Sequence, residues 1–163
     1  MIRSGGVLLA TMAVPVSSAS AASQQQITTG ETKKVFTEAD VGKLKFLEGR
    51  WSGKAPDGSV FYEEYDFPDP ATLRSRRYLD ASFATSTDGS TVALKDGKLI
   101  STWGEFTWEA VSVENGQVTF KPLNAPSSFS WRRVSADAVE VTQNWTDEKG
   151  AAQRYALTLN RVR

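Results

Sequence analysis

From Gly49 to the C-terminus the chain alternates apolar and polar residues with a period of two, in short runs cut about every eight to twelve residues by turn formers. Val139, Val141 and Trp145 share one strand face while Glu140, Thr142 and Asn144 share the other. Tyr155, Leu157 and Leu159 oppose Arg154, Thr158 and Asn160 in the same way. The interruptions are Pro56-Asp57-Gly58, Pro68-Asp69-Pro70, Asp88-Gly89, Asp96-Gly97, Asn115-Gly116, Asn124-Ala125-Pro126 and Lys149-Gly150, whose fixed or positive φ lets a chain reverse. The spacing predicts ten strands, over residues 50–55, 60–67, 72–80, 91–95, 98–103, 106–113, 117–123, 129–134, 139–146 and 154–162. Such a crowd of short strands leaves no space for crossover helices, so neighbours pair antiparallel. The predicted fold class is all-β, a single antiparallel up-and-down barrel of about eight to ten strands.

Ahead of the strands, Thr37 resembles an N-cap with Asp40 three residues on, and Val41, Leu44 and either Lys45 or Leu47 recur at helical spacing. They predict a short N-terminal helix of two or three turns that ends at Gly49 and plugs a core. Residues 23–34 are polar without an apolar period and read as a disordered arm. Residues 1–22 read as a signal peptide: Arg3 gives a positive start, Gly5 to Val16 is an uncharged, mostly apolar run, and Ala19-Ser20-Ala21 offers small residues for cleavage. The apolar run is about half the roughly 20 residues a membrane span needs and holds Pro15, so no stable membrane anchor is expected. The expected location is the periplasm or outside the cell, and the expected barrel domain is residues 35–163.

Composition narrows the chemistry. Lys+Arg and Asp+Glu are both 19, so no field draws the chain to nucleic acid. Cys and His are both absent, which removes disulfides, Cys/His zinc sites, thiolate and His-assisted nucleophiles, and haem held through either residue. No cofactor and no metal are expected. For catalysis there remain a carboxylate pair such as Glu63 and Glu109 or a Ser–Lys dyad, and adjacent Glu63 and Glu64 point to opposite faces of one strand. The expectation is a binding protein, not an enzyme.

Aromatic residues mark where binding would occur. Phe61, Tyr65 and Phe67 lie on one side of a strand with Glu63 among them, and Arg74, Arg76 and Tyr78 fall together on the next. Polar groups interleaved with aromatics fit the wall of a partly wet ligand cavity, with the arginines meeting an acidic head group; a charged solvent face gives the same pattern. Trp103, Trp108, Trp131 and Trp145 fit either a ligand-stacking wall or an aromatic core. The stretch 121–128, with Pro122 and Pro126, reads as a rigid rim loop.

The segment Phe46-Leu47-Glu48-Gly49-Arg50-Trp51-Ser52-Gly53 resembles the G-x-W opening of the calycin barrels, the lipocalins and fatty-acid-binding-protein relatives. The end Leu157-Thr158-Leu159-Asn160-Arg161-Val162-Arg163 is similar to their last strand, which carries an Arg across that Trp. The nearest likeness is to uncharacterised exported bacterial proteins with lipocalin-like domains. The resemblance implies a structural closure by Gly49, Trp51 and Arg161, with Arg163 as the rival cap, and a pocket for a small apolar or amphipathic ligand. A periplasmic protein-interaction or inhibitor module is the alternative. Phe61-Tyr62-Glu63-Glu64 is also similar to the nitrobindin-like haem barrels, but that branch ligates haem through a His that this chain lacks.

The export reading has a direct check. Cleavage after Ala21 or Ala22 gives a mature chain that starts at Ala22 or Ser23, and intact-mass measurement on protein recovered from its own host should show one of those two termini. Recovery of the uncleaved chain as the stable species would remove it.

Overall fold

The computed structural model describes residues 34–163. The expected signal peptide and all of the expected arm but its last residue lie outside the described residues. Thr37 is extended and its N–H donates to Asp40 Oδ2 at 2.9 Å, which starts helix α1 (Glu38–Gly42). The chain then tightens into a 3-10 helix over Lys43–Leu47, so the helical segment has the expected two to three turns but is less regular than its spacing predicts and ends at Leu47, ahead of Gly49. Val41, Leu44 and Leu47 are fully buried on one face of it.

Ten strands follow: β1 (Gly49–Lys54), β2 (Val60–Asp69), β3 (Thr72–Tyr78), β4 (Ser86–Lys95), β5 (Lys98–Trp103), β6 (Phe106–Glu114), β7 (Gln117–Pro122), β8 (Ser128–Arg133), β9 (Ala138–Thr146) and β10 (Ala152–Arg161). Each pairs antiparallel with its chain neighbours, and β1 pairs with β10 to close an up-and-down barrel. The all-β barrel predicted from the alternation is the fold observed, and it fits a calycin-like barrel. Two turn assignments are corrected. Asp88-Gly89 lies inside β4, because Gly89 runs against the backbone of β3, where a Cβ would collide with the Ser75 carbonyl. Pro68 and Asp69 still belong to β2, whose register with β3 shifts between Asp66 and Asp69, and the turn comes after them.

The helical segment and the even-numbered connections, such as β4–β5 and β8–β9, gather at one end of the barrel. There Phe36 N–H bonds to Gly97 O at 2.8 Å, and Arg161 Nε bonds to Ala136 O at 3.2 Å. Trp51 is fully buried beside Leu47, whose carbonyl accepts its indole N–H at 2.6 Å. Trp51 and Arg161 are direct cross-strand partners, and the guanidinium carbon stands 4.1 Å from the indole centroid. Arg161 Nη1 also donates to Glu48 O at 2.9 Å. Gly49 lies at φ +114°, and a Cβ on it would sit 2.7 Å from Arg161 Nη1, so a side chain there would displace the cap as well as strain the backbone. Arg163 reaches outward to Asp137 instead, at 2.8 Å.

This closure generates a measurable pattern. Trp51→Ala removes a large buried ring and should cost about 3–5 kcal/mol, while Arg161→Ala loses stacking and aliphatic packing and should cost about 1–2 kcal/mol. A double-mutant cycle by urea unfolding should give a coupling of about 0.5–3 kcal/mol for Trp51 with Arg161 and additivity for Trp51 with Arg163.

Candidate functional site

The pleat decides what the barrel interior contains. On β2 the inward residues are Phe61, Glu63 and Tyr65, and on β3 they are Leu73, Ser75 and Arg77. Lower in the barrel the space is filled. Tyr65 meets Trp131 edge-on from across the ring, with centroids 5.9 Å apart, and Phe120 lies against Trp131 at 5.7 Å. Above this floor a cavity of about 430 Å³ reaches the mouth, where Pro56, Trp103 and Pro126 are exposed.

Its two principal walls differ. β3 and β8 stand five positions apart in the ten-strand ring, so they face each other across it. On the β6 and β8 side an aromatic tier runs from Phe106 to Trp108 to Phe129 to Trp131, with centroid separations of 6.3, 5.4 and 5.1 Å. The Trp108 indole donates to Ser127 O at 2.7 Å, which ties the rim loop of residues 121–128 to this wall of the cavity. On the β2–β4 side Arg77 donates through Nε and Nη2 to Glu63 Oε1, at 3.2 and 2.7 Å. Tyr65 Oη donates to Glu63 Oε2 at 2.6 Å. The Arg77 guanidinium also lies 4.8 Å from the Phe61 ring and 5.7 Å from Trp103. Ser75 and Ser90 share a 2.8 Å hydroxyl bond, and Ser101 is buried on the same lining.

Electrostatics keeps these groups in fixed states. Burial works against the Arg77 charge, but the charge and hydrogen bonds of Glu63, with Asp88 beyond, outweigh it and hold the guanidinium above its ordinary value. Burial, reinforced by the adjacent Glu63 carboxylate, pushes the Tyr65 phenol well up, so it stays a neutral donor at physiological pH. Among the described residues no group of three or more acidic side chains could hold a metal ion.

Of the residues expected to bind a ligand, Trp103, Trp108 and Trp131 line the cavity together. Trp145 has the inward parity of Val141 and Gln143 but lies near the mouth, about a third exposed. Arg74, Arg76 and Tyr78 are corrected: they point out of the barrel. Arg74 binds Asp66 at 2.9 and 2.6 Å, Arg76 binds Glu64 at 3.0 Å and Asp66 at 2.9 Å, and Tyr78 Oη donates to Glu64 at 3.0 Å. Leu73 is the reason, because it takes the inward parity of β3 and thereby sends every even-numbered residue of that strand outward. Glu109 is likewise on the outer surface, between Lys98 and Lys121, so Glu63 and Glu109 are not a catalytic pair. Sequence reasoning missed Arg77, which counting by two from Leu73 would have found, and likewise Phe106, Phe129 and the serines of the lining.

Comparison with known proteins adds little. No family model and no curated protein matches the sequence. Among solved structures, a protein of unknown function from the DUF3598 family of Nostoc punctiforme is similar at 15% identity and a TM-score of 0.48, over 80% of this chain and 50% of that one. The chain thus spans half the length of the Nostoc protein. Rv2717c of M. tuberculosis is similar at 12% identity and a TM-score of 0.45, over 76% and 98% of the two chains. A third structure, EF1p2_mFAP2b bound to DFHBI, is similar at 14% identity and a TM-score of 0.37, over 72% and 95%. Likenesses this distant say nothing of what the present chain binds.

The outer ladder of β2 and β3 has a pH signature. The Arg74 hydrogen bonds hold the Asp66 carboxyl below its ordinary range, and Arg50 and Tyr78 do the same for Glu64 against the effect of its burial. A carboxylate whose pKa is depressed on folding contributes stability above its unfolded pKa and loses it as pH falls through the folded one. Unfolding free energy should therefore decline below about pH 4, and Arg74→Met should flatten that acid limb; urea titrations of both proteins across the range check it.

Proposed function

We propose that the chain is an exported binding protein that encloses one small apolar or amphipathic molecule in the upper half of its barrel, and that it does so without catalysis. The observation that carries this reading is the cavity of about 430 Å³ between an aromatic wall and a wall of Arg77, Glu63 and serine hydroxyls. Small-molecule pockets run from about 300 to 1,000 Å³ and combine apolar linings with a few placed polar groups. Acid–base chemistry has less support, since Glu63 is engaged by Arg77 and Tyr65 and Glu109 faces away from it.

A second reading, a protein-interaction module, draws on the apolar groups around the mouth. Leu79 is 78% and Leu123 53% exposed, and both follow strands that end there. A stoichiometric protein recovered from an envelope extract, lost on Leu79→Ser and Leu123→Ser, would favour that module over the carrier.

The carrier reading is tested by titrating the protein with N-phenyl-1-naphthylamine, a neutral aromatic probe, while following tryptophan fluorescence. Saturable binding at one site is expected. Phe106→Ala and Trp103→Ala should each weaken it by about three- to tenfold, the worth of one ring contact. Absence of saturable binding by the wild type, together with nothing released by solvent extraction of the native protein, would overturn the reading.

A further inference from the structure

The cavity contains more than a general preference for apolar matter, because its charges come in a row. Glu63, Arg77 and Asp88 are consecutive cross-strand partners on β2, β3 and β4, so their side chains lie side by side on one inner wall. The Arg77 side chain is 38% exposed and that of Glu63 12%. Asp88 is exposed at the mouth and acts on Arg77 through its charge.

We propose that this row makes the cavity a site for uncharged ligands, with a flat apolar body against the aromatic tier and a hydrogen-bond acceptor, such as an ester or amide carbonyl, on the Arg77 guanidinium. The inference rests on the reading of the cavity as a small-molecule site. A carboxylate brought to Arg77 lies between Glu63 and Asp88, so two negative groups oppose the one positive group that draws it. An ammonium brought to Glu63 lies beside Arg77, and the carboxylate it seeks already accepts from Arg77 and from Tyr65. A neutral acceptor meets neither penalty. Glu63 takes one N–H from Nε and one from Nη2, which leaves three of the five guanidinium N–H donors without a carboxylate among the described residues. The hydroxyls of Ser75 and Ser90 bond each other on the same wall, and neither brings charge. Fatty acids, the ligand class an arginine-bearing barrel first suggests, are thereby rejected.

The test uses three probes with one body: methyl 2-naphthoate, 2-naphthoate and 2-naphthylmethylammonium, each titrated calorimetrically into the purified chain at pH 7. The ester should bind at least about tenfold more tightly than either ion, in keeping with the cost of juxtaposing like charges in a partly desolvated site. Glu63→Gln removes one of the two opposing carboxylates while keeping the shape of the wall, so the ratio of naphthoate to ester affinity should rise by about tenfold or more. Equal or tighter binding of naphthoate or of the ammonium by the wild type overturns the inference and leaves the carrier reading in place. An unchanged ratio in Glu63→Gln also overturns it, since the row would then not be the selector. If none of the three probes binds, the inference falls, and the carrier reading stands or falls separately by the N-phenyl-1-naphthylamine titration and the solvent extraction.

Discussion

Closure of the ring between β1 and β10 is the contact through which the rest of the barrel is ordered. Trp51 has Arg161 directly opposite on one side and Glu63 directly opposite on the other. Glu63 in turn opposes Arg77, and Arg77 opposes Asp88. Directly opposed residues on antiparallel strands project to the same face. One choice of register thus fixes both the arginine cap on the tryptophan and the charged row on the cavity wall. A slip of one residue would put Glu64 and Arg76 inside and Glu63 and Arg77 in water, which is why the fully buried Trp51, with its side chain locked by Leu47 and Arg161, governs more than the end of the barrel it occupies.

That closed end also explains why the interior is filled on one side of a floor and open on the other. An eight-stranded barrel is just wide enough for its own side chains to fill, and this one has ten strands. The excess width has to be taken up by large residues or left empty. Toward the closed end it is taken up by the helical segment and by the aromatic residues Trp51, Phe120, Tyr65 and Trp131. Just above the floor the inward positions of β3, β4 and β5 are Ser75, Ser90 and Ser101, which are too small to cross the space, while Arg77, Asp88 and Trp103 stand nearer the mouth. The cavity is the volume those serines do not occupy.

The strands were legible because alternation reports burial on one face, and nine of the ten were placed within about two residues of their observed bounds; β4 begins five residues earlier than expected, at Ser86. The inner face of β3 was not legible, and the reason is local. In Thr72-Leu73-Arg74-Ser75-Arg76-Arg77-Tyr78 the two large hydrophobic residues stand at opposite parity. Leu73 is buried inside the barrel, whereas Tyr78 is buried outside it, against Phe83 at 5.1 Å, with Tyr62 on the same ring at 5.8 Å. Aromatic burial on the outer surface mimics the signal of an inner face, and period two alone cannot separate them. Gly89 misleads in a similar way: Asp-Gly is turn chemistry in most chains, but here the missing Cβ admits the neighbouring strand. Trp51 and Arg161 were readable through the resemblance of the segments around them to the opening and the last strand of the calycin barrels, and the structure decides for Arg161 over Arg163.

The β2–β3 pair carries two sets of ions with different physical standing. On the outer face Arg50, Glu64, Arg76, Asp66 and Arg74 alternate at partly exposed positions, where solvent screening keeps each pair's contribution to stability small and the line of opposite charges mainly biases against register slips. On the inner face Glu63 is largely withdrawn from solvent, so its pairing with Arg77 first has to offset desolvation. Apolar residues of similar volume at those two positions would serve stability as well or better. What the inner pair adds to this barrel is therefore polarity at a fixed place on an otherwise aromatic and hydroxyl-lined wall, and because the register that positions it is the register that closes the ring, it cannot drift without the fold itself being lost.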